Sequence, residues 1–145
     1  MRQASGVCEM KKVIFVCVHN SGRSQMAEAF AKKLGAGKIV VESAGTQPAD
    51  GLNPTVVRAM EEIGYDMTGH YPKMLTLDMI NSADRIITMG CGVDAEGVCP
   101  ASIVQTEDWE LEDPKGQSIE KVRQIRDQIK ARVEKLIEEM TTGEA

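Results

Sequence analysis

Aromatic residues are scarce in this chain: one tryptophan, two tyrosines and two phenylalanines make up 3% of it. Little aromatic surface is therefore available to flank a ring-bearing substrate. Positive charge is not in excess either. Seventeen Lys and Arg face 22 Asp and Glu, a net charge of −5, which excludes nucleic acid as the main partner because phosphate backbones call for a basic face. No apolar run reaches the length needed to cross a bilayer. Residues Met1 to Lys12 lack the apolar core of a secretory signal, so a cytoplasmic protein with no membrane partner is expected. There is no Cys-x-x-Cys pair, and His19 and His70 are the two imidazoles. A zinc site therefore has little support, and neither a metal nor a cofactor is expected.

Four cysteines remain: Cys8, Cys17, Cys91 and Cys99. Without an export signal they read as catalytic or redox-active rather than as structural staples. The 145 residues, 42% hydrophobic and 27% charged, suit one soluble domain with a full core. Residues 1–10 read as an N-terminal extension and 11–145 as the domain.

Apolar runs and helical stripes alternate along that domain. Val13–Val18 reads as a strand buried on both faces. Ser24 is expected to cap a helix over Gln25–Leu34 whose core stripe is Met26, Phe30 and Leu34. Lys38–Ser43 is the next strand, with Ala44-Gly45 turning out of it. Asn53-Pro54 opens a helix as cap and first residue, and Gly64 ends it. A short helix is expected over Leu75–Ala83, a strand over Asp84–Met89 and a fourth strand over Ser102–Gln105. A long final helix from Ser118 carries Val122, Ile125, Ile129, Val133, Leu136 and Met140 on one face. The order predicts an α/β, three-layer sandwich: a four-stranded parallel sheet flanked by helices. Ligands of such sheets bind beyond the carboxyl ends of the strands.

At that edge lies Cys17-Val18-His19-Asn20-Ser21-Gly22-Arg23-Ser24, between the first strand and the first helix. A loop of this kind turns backbone N–H groups inward as an anion nest, and the helix N-terminus adds donors and partial positive charge. The same field favours thiolate over thiol at Cys17, the nucleophile. Arg23 offers a planar fork to two oxygens of a tetrahedral oxyanion. Asn20 and Ser24 brace the loop, and Ser24 is placed to donate to the Cys17 sulfur. The departing oxygen needs a proton, and Asp113, held extended before Pro114, is the candidate acid.

Two routes lead onward. With phosphorus at the centre, water cleaves the thiophosphate. With arsenic(V), a second thiol attacks Cys17 and releases arsenic(III), and a third resolves the disulfide. Cys91, after the third strand, and Cys99, after seven residues that include two glycines, fit those two roles. Cys8 receives none.

The runs Cys17–Glu28, Glu42–Gly45, Met89–Gly92, Cys99-Pro100 and Asp108-Trp109 with Asp113-Pro114 together resemble the thioredoxin-coupled arsenate reductases. These share the fold of the low-molecular-weight protein tyrosine phosphatases. The resemblance spans roughly Met10 to Met140. It implies arsenate as substrate, Cys17 as nucleophile, Arg23 as oxyanion ligand, Asp113 as acid, and a Cys91–Cys99 disulfide reduced by thioredoxin. Many relatives have a glycine where this chain has His19 and a further cysteine where it has Gly22. Some bind potassium beside the loop; Asn20, Glu28 and Ser43 match that site, but Tyr71 and Lys73 replace its other ligands. A lysine ammonium can take the cation's place, so potassium is not expected. The rivals are a tyrosine phosphatase of the same fold and a non-catalytic oxyanion-binding or redox-sensing module. The paucity of aromatics and the Lys115-Gly116 that follows Pro114 count against the phosphatase.

Overall fold

Val13, Ile14, Phe15 and Val16 are all fully buried in the computed structural model, as a strand covered on both faces requires. Burying each of these side chains contributes about 1.5–3 kcal/mol. The structure describes residues 11–90 and 107–142. Within them, β1 (Lys11–Cys17) leads to α1 (Arg23–Leu34), β2 (Ile39–Gly45), α2 (Pro54–Glu61), α3 (Leu77–Ser82), β3 (Arg85–Thr88), β4 (Glu107–Asp108) and α4 (Ile119–Thr142). All strand pairings are parallel, in the order β2-β1-β3-β4. The chain is thus α/β, a four-stranded parallel sheet with helices packed against it.

Alternation along β1 divides the interior. Val13, Phe15 and Cys17 join Met26 and Phe30 of α1, Val56 and Met60 of α2 and the apolar stripe of α4 in one core. Ile14 and Val16, equally buried, face the opposite side. The α4 stripe behaves as its spacing predicts: Val122, Ile125, Ile129, Val133, Leu136 and Met140 are all buried. Asn53 caps α2, its side chain accepting from the Thr55 and Val56 amides, with Pro54 at the first helical position.

Other expectations shift. The start of α1 is Arg23, with Gly22 at the cap position and no side-chain cap bond, so Ser24 is not a cap. Nor is α1 a one-sided helix. Every residue from Ser24 to Ala31 is buried, whereas Leu34 is 37% exposed. A helix covered nearly all round must find partners for its polar side chains, and Ser24, Gln25 and Glu28 find theirs beneath the Cys17 loop. Ala44 and Gly45 do not turn out of β2; they continue it, with Gly45 level with Cys17. The described fourth strand is Glu107–Asp108, paired with Ile87 and Thr88, while the expected Ser102–Gln105 strand lies outside the described residues. No helix among the described residues is long and apolar enough to cross a membrane.

In this strand order β1 and β3 are neighbours, with β2 beside β1 on one side and β4 beside β3 on the other. A crevice at their carboxyl ends is the topological switch point where α/β sheets hold ligands. Cys17 ends β1, and Gly90 lies two residues beyond β3.

Candidate active site

Cys17 is 4% exposed, and its sulfur has two hydrogen-bond partners within its own loop. The Asn20 backbone N–H donates to it across 3.1 Å, and the Ser24 hydroxyl lies 2.9 Å away. The first bond depends on an unusual backbone. Asn20 has φ +51, a left-handed conformation that asparagine tolerates better than most residues, and this turns its amide back on the sulfur. The Asn20 side chain is fully buried and fully used. Its Nδ2 donates to Ser24 Oγ at 2.7 Å and to Ser43 Oγ at 3.1 Å, while its Oδ1 accepts from the Lys73 amide at 2.8 Å and from Gln25 Nε2 at 3.1 Å. The loop is therefore braced from below by α1, β2 and the segment around Lys73.

That segment carries a charge network. Glu28 Oε1 accepts from Ser43, and the Lys73 ammonium lies 3.4 Å from Glu28 Oε1, Ser43 Oγ and the Tyr71 carbonyl. Lys32 pairs with the other Glu28 oxygen at 2.7 Å. Burial opposes ionisation of Glu28, but the hydrogen bonds from Lys32 and Ser43 and the nearby charges outweigh it. The carboxyl is held below its usual range. Burial also holds His70 below the usual imidazole range; Glu28 pulls the other way, and Lys32 and Lys73 reinforce the burial.

A cleft of about 1170 Å³ opens above the loop, walled by the loop itself, residues 47–54, Gly90, Leu111 and residues 113–116. No aromatic side chain stands among its described walls. At the floor, the uncapped N-terminus of α1 leaves first-turn N–H groups to face an anion. Arg23 is held in place by backbone: its Nη1 donates to the carbonyls of Met89 (2.7 Å), Gly90 (3.1 Å) and Leu111 (2.9 Å). With Nη1 so engaged, Nε and Nη2 form the edge available for two oxygens of a bound oxyanion. The Asp113 carboxylate lies 3.9 Å from Arg23 Nη2 and is 58% exposed as a side chain. Its Oδ1 accepts from the Lys115 amide at 2.9 Å, which fixes it on the cleft rim.

The structure thus brings Cys17, Val18, His19, Ser21, Gly22, Arg23 and Asp113 to one cleft. Asn20 and Ser24 belong to the same loop, but their side chains are fully buried and support the sulfur from beneath. His19 is exposed, with Nδ1 3.0 Å from the Gln47 carbonyl. Cys91 and Cys99 lie outside the described residues, as does Cys8. Trp109 is core, packed on Phe15 with ring centroids 5.7 Å apart. Two features have no local sequence signal: the carbonyl clasp on Arg23, and Asp108, whose Oδ1 accepts from Thr88 Oγ1 and the Gly90 amide. Both depend on chain segments brought together only by the fold. Among the described residues no group of three or more His, Cys, Asp or Glu could hold a metal ion.

Comparison with known proteins agrees with this geometry. Residues 12–144 match the family "Low molecular weight phosphotyrosine protein phosphatase". The glutaredoxin arsenate reductase of Synechocystis sp. is 48% identical over 131 residues, covering 88% of this chain and 97% of that protein. A solved arsenate reductase in its phosphate-binding state superposes with a TM-score of 0.77 at 46% identity, over 90% of this chain and 99% of that one. The thioredoxin-dependent arsenate reductase of Corynebacterium glutamicum gives 0.75 at 35% identity, over 92% of this chain and 63% of that one. The Cys17–Ser24 loop on this sheet edge and relatives of this closeness lead to one placement: the chain belongs to the low molecular weight phosphotyrosine protein phosphatase family, among its arsenate reductases.

Proposed function

We propose that the protein reduces arsenate to arsenite through a relay of three cysteines, closed by thioredoxin. Cys17, as thiolate, attacks arsenic(V) while the loop amides and Arg23 hold the oxyanion. Asp113 protonates the oxygen that departs as water. Cys91 then attacks the Cys17 sulfur. The new S–S bond forms as the S–As bond breaks, and its electron pair passes to arsenic, which leaves as arsenic(III). Cys99 attacks Cys91, freeing Cys17 and leaving a Cys91–Cys99 disulfide for an external dithiol to reduce. Arsenate and thioredoxin are thus the proposed partners, and the reducing compartment the relay needs is the cytoplasm.

One observation carries this reading over simple hydrolysis. Gly90 is a wall residue of the cleft, its carbonyl 3.1 Å from Arg23 Nη1, and the next residue in the chain is Cys91. A second thiol thus follows directly in sequence on a residue whose carbonyl Arg23 binds. The cleft walls add a second argument, since they present no aromatic face to an aryl phosphate among the described residues. The intact set of Cys17, Arg23 and Asp113 weighs against a non-catalytic binding or sensing module.

The test is arsenate-dependent NADPH consumption with thioredoxin and its reductase, repeated with glutaredoxin and glutathione. The second arm matters because the Synechocystis relative is named for glutaredoxin. Loss of turnover in Cys91→Ser and Cys99→Ser is expected, with a Cys17–Cys91 disulfide trapped in the latter and seen by mass spectrometry. Full turnover in either variant would sink the relay. Aryl phosphate hydrolysis without arsenate reduction would establish the phosphatase instead.

A further inference from the structure

Gly90 is held from two sides. On one, Asp108 Oδ1 accepts from the Gly90 amide and from the Thr88 hydroxyl, each at 2.8 Å. Thr88 is fully buried, so its hydroxyl fixes that carboxylate oxygen against the end of β3. Bonds of this length to a carboxylate are charge-assisted and stronger than neutral ones. On the other side, Arg23 Nη1 donates to the Met89 and Gly90 carbonyls. The backbone between these clamps is itself restrictive. Gly90 has φ +91, and a Cβ there would lie 2.5 Å from the Leu111 carbonyl oxygen and 2.7 Å from its nitrogen, so no other residue fits. The next residue in the chain is Cys91.

Asp108 stands apart from the oxyanion chemistry. It is not a wall residue of the cleft, and its side-chain bonds go to Thr88 and Gly90. We infer that Asp108 is a positioning residue for the second thiol: by holding the Gly90 amide it fixes the backbone on which Cys91 follows in sequence. This inference rests on the proposed relay. The step it serves forms the Cys17–Cys91 bond and breaks the Cys17–arsenic bond, with the electron pair going to arsenic. Attack on a sulfur requires close alignment of nucleophile and leaving group, and a misplacement of about 1 Å costs on the order of 10²-fold in rate.

The experiment separates the two steps. In a Cys8→Ser, Cys91→Ser, Cys99→Ser background, alkylation of Cys17 by iodoacetamide and its protection by inorganic phosphate report on the oxyanion site alone. Asp108→Ala is expected to leave both within about twofold, because the first-step groups are untouched. In a Cys99→Ser background, arsenate-driven formation of the Cys17–Cys91 disulfide, quenched and followed by mass spectrometry, is expected to slow at least about tenfold. Asp108→Asn keeps an oxygen acceptor and is expected to recover much of that rate. Unchanged disulfide formation in Asp108→Ala overturns the inference. So does a parallel fall in phosphate protection and disulfide formation, which means general loosening of the site. Wild-type turnover by Cys91→Ser alone overturns the relay and the role of Asp108 with it, and that arm is independent of any change at Asp108.

Discussion

Among the described residues the Ser24 hydroxyl has two hydrogen-bond partners, the Asn20 side-chain amide and the Cys17 sulfur. Its oxygen already accepts from Asn20 Nδ2 at 2.7 Å, and the orientation of that amide is fixed because Asn20 Oδ1 accepts the Lys73 backbone N–H. The serine proton is therefore free to be donated across the 2.9 Å gap to a Cys17 thiolate. Together with the Asn20 N–H it offers the sulfur two donors from its own loop.

Ser24→Ala removes one of those donors. A hydrogen bond to a charged group contributes about 1.5–3 kcal/mol, so the rate of Cys17 alkylation near neutral pH is expected to fall by about tenfold or more. Ser24→Thr, which keeps the hydroxyl, is expected to retain most of it. Stopped-flow alkylation with iodoacetamide measures both.

Arg23→Lys tests whether charge alone is enough. A lysine ammonium cannot reach the carbonyls of Met89, Gly90 and Leu111 and also present a planar edge to two oxygens. The expected outcome is a fall of about 10²–10³-fold in kcat/KM for arsenate. Steady-state kinetics reads it, and thermal unfolding records the separate cost of three carbonyls left without their donor.

Much of the frame was legible because its signals are local. The apolar run of β1, the Asn53-Pro54 helix start and the α4 stripe each announce themselves within one element. Ser24 was misread as a cap because a serine before a helical stripe carries the same local signal whether it faces its own backbone or a sulfur on the preceding strand. β4 gave no signal at all. Glu107 and Asp108 are two acidic, exposed residues that become a strand only by pairing with Ile87 and Thr88, and strand formation of that kind is set by neighbours rather than by propensity. The Arg23 clasp joins residues 66 to 88 positions apart, beyond any pattern along the chain. At the cleft, the Cys17–Ser24 loop and Asp113 were readable from type and spacing, whereas the bonds from Asp108 to Thr88 and Gly90 join residues 18 to 20 positions apart and carry no such local signal.

Acid stability should depend on Glu28. Its carboxyl is held below the ordinary range, so relative to an unfolded-state value of about 4.3 its contribution is fully present above that value. It is lost as pH falls through the lower folded-state value. Melting temperature recorded from neutral pH to about pH 3 should therefore drop at the acid end in the wild type. Glu28→Gln is expected to be less stable at neutral pH and to show a shallower acid decline.

Lys73 supplies a fixed positive charge beside Glu28 and Ser43. Wild-type turnover is expected to be the same in potassium and sodium salts of equal ionic strength. Lys73→Met keeps the backbone N–H that binds Asn20 but is expected to lower kcat/KM several-fold by loosening Ser43, whose hydroxyl oxygen accepts from Asn20 Nδ2. Parallel assays in the two salts check both statements, and a potassium-specific gain in the wild type would contradict the first.

Gly45 pairs with Cys17 across the sheet, and a Cβ on it would lie 2.5 Å from the Val18 carbonyl oxygen and 3.0 Å from the Asn20 Cβ. The Cys17–Ser24 loop is thus cast against the bare tip of a neighbouring strand. Its eight residues do not make a portable cassette. Transplanted to another strand-to-helix turn, they would lose the surface that moulds them, and the smallest piece that can carry this anion cradle to a new scaffold includes the end of β2 and the Lys73 segment bonded to it.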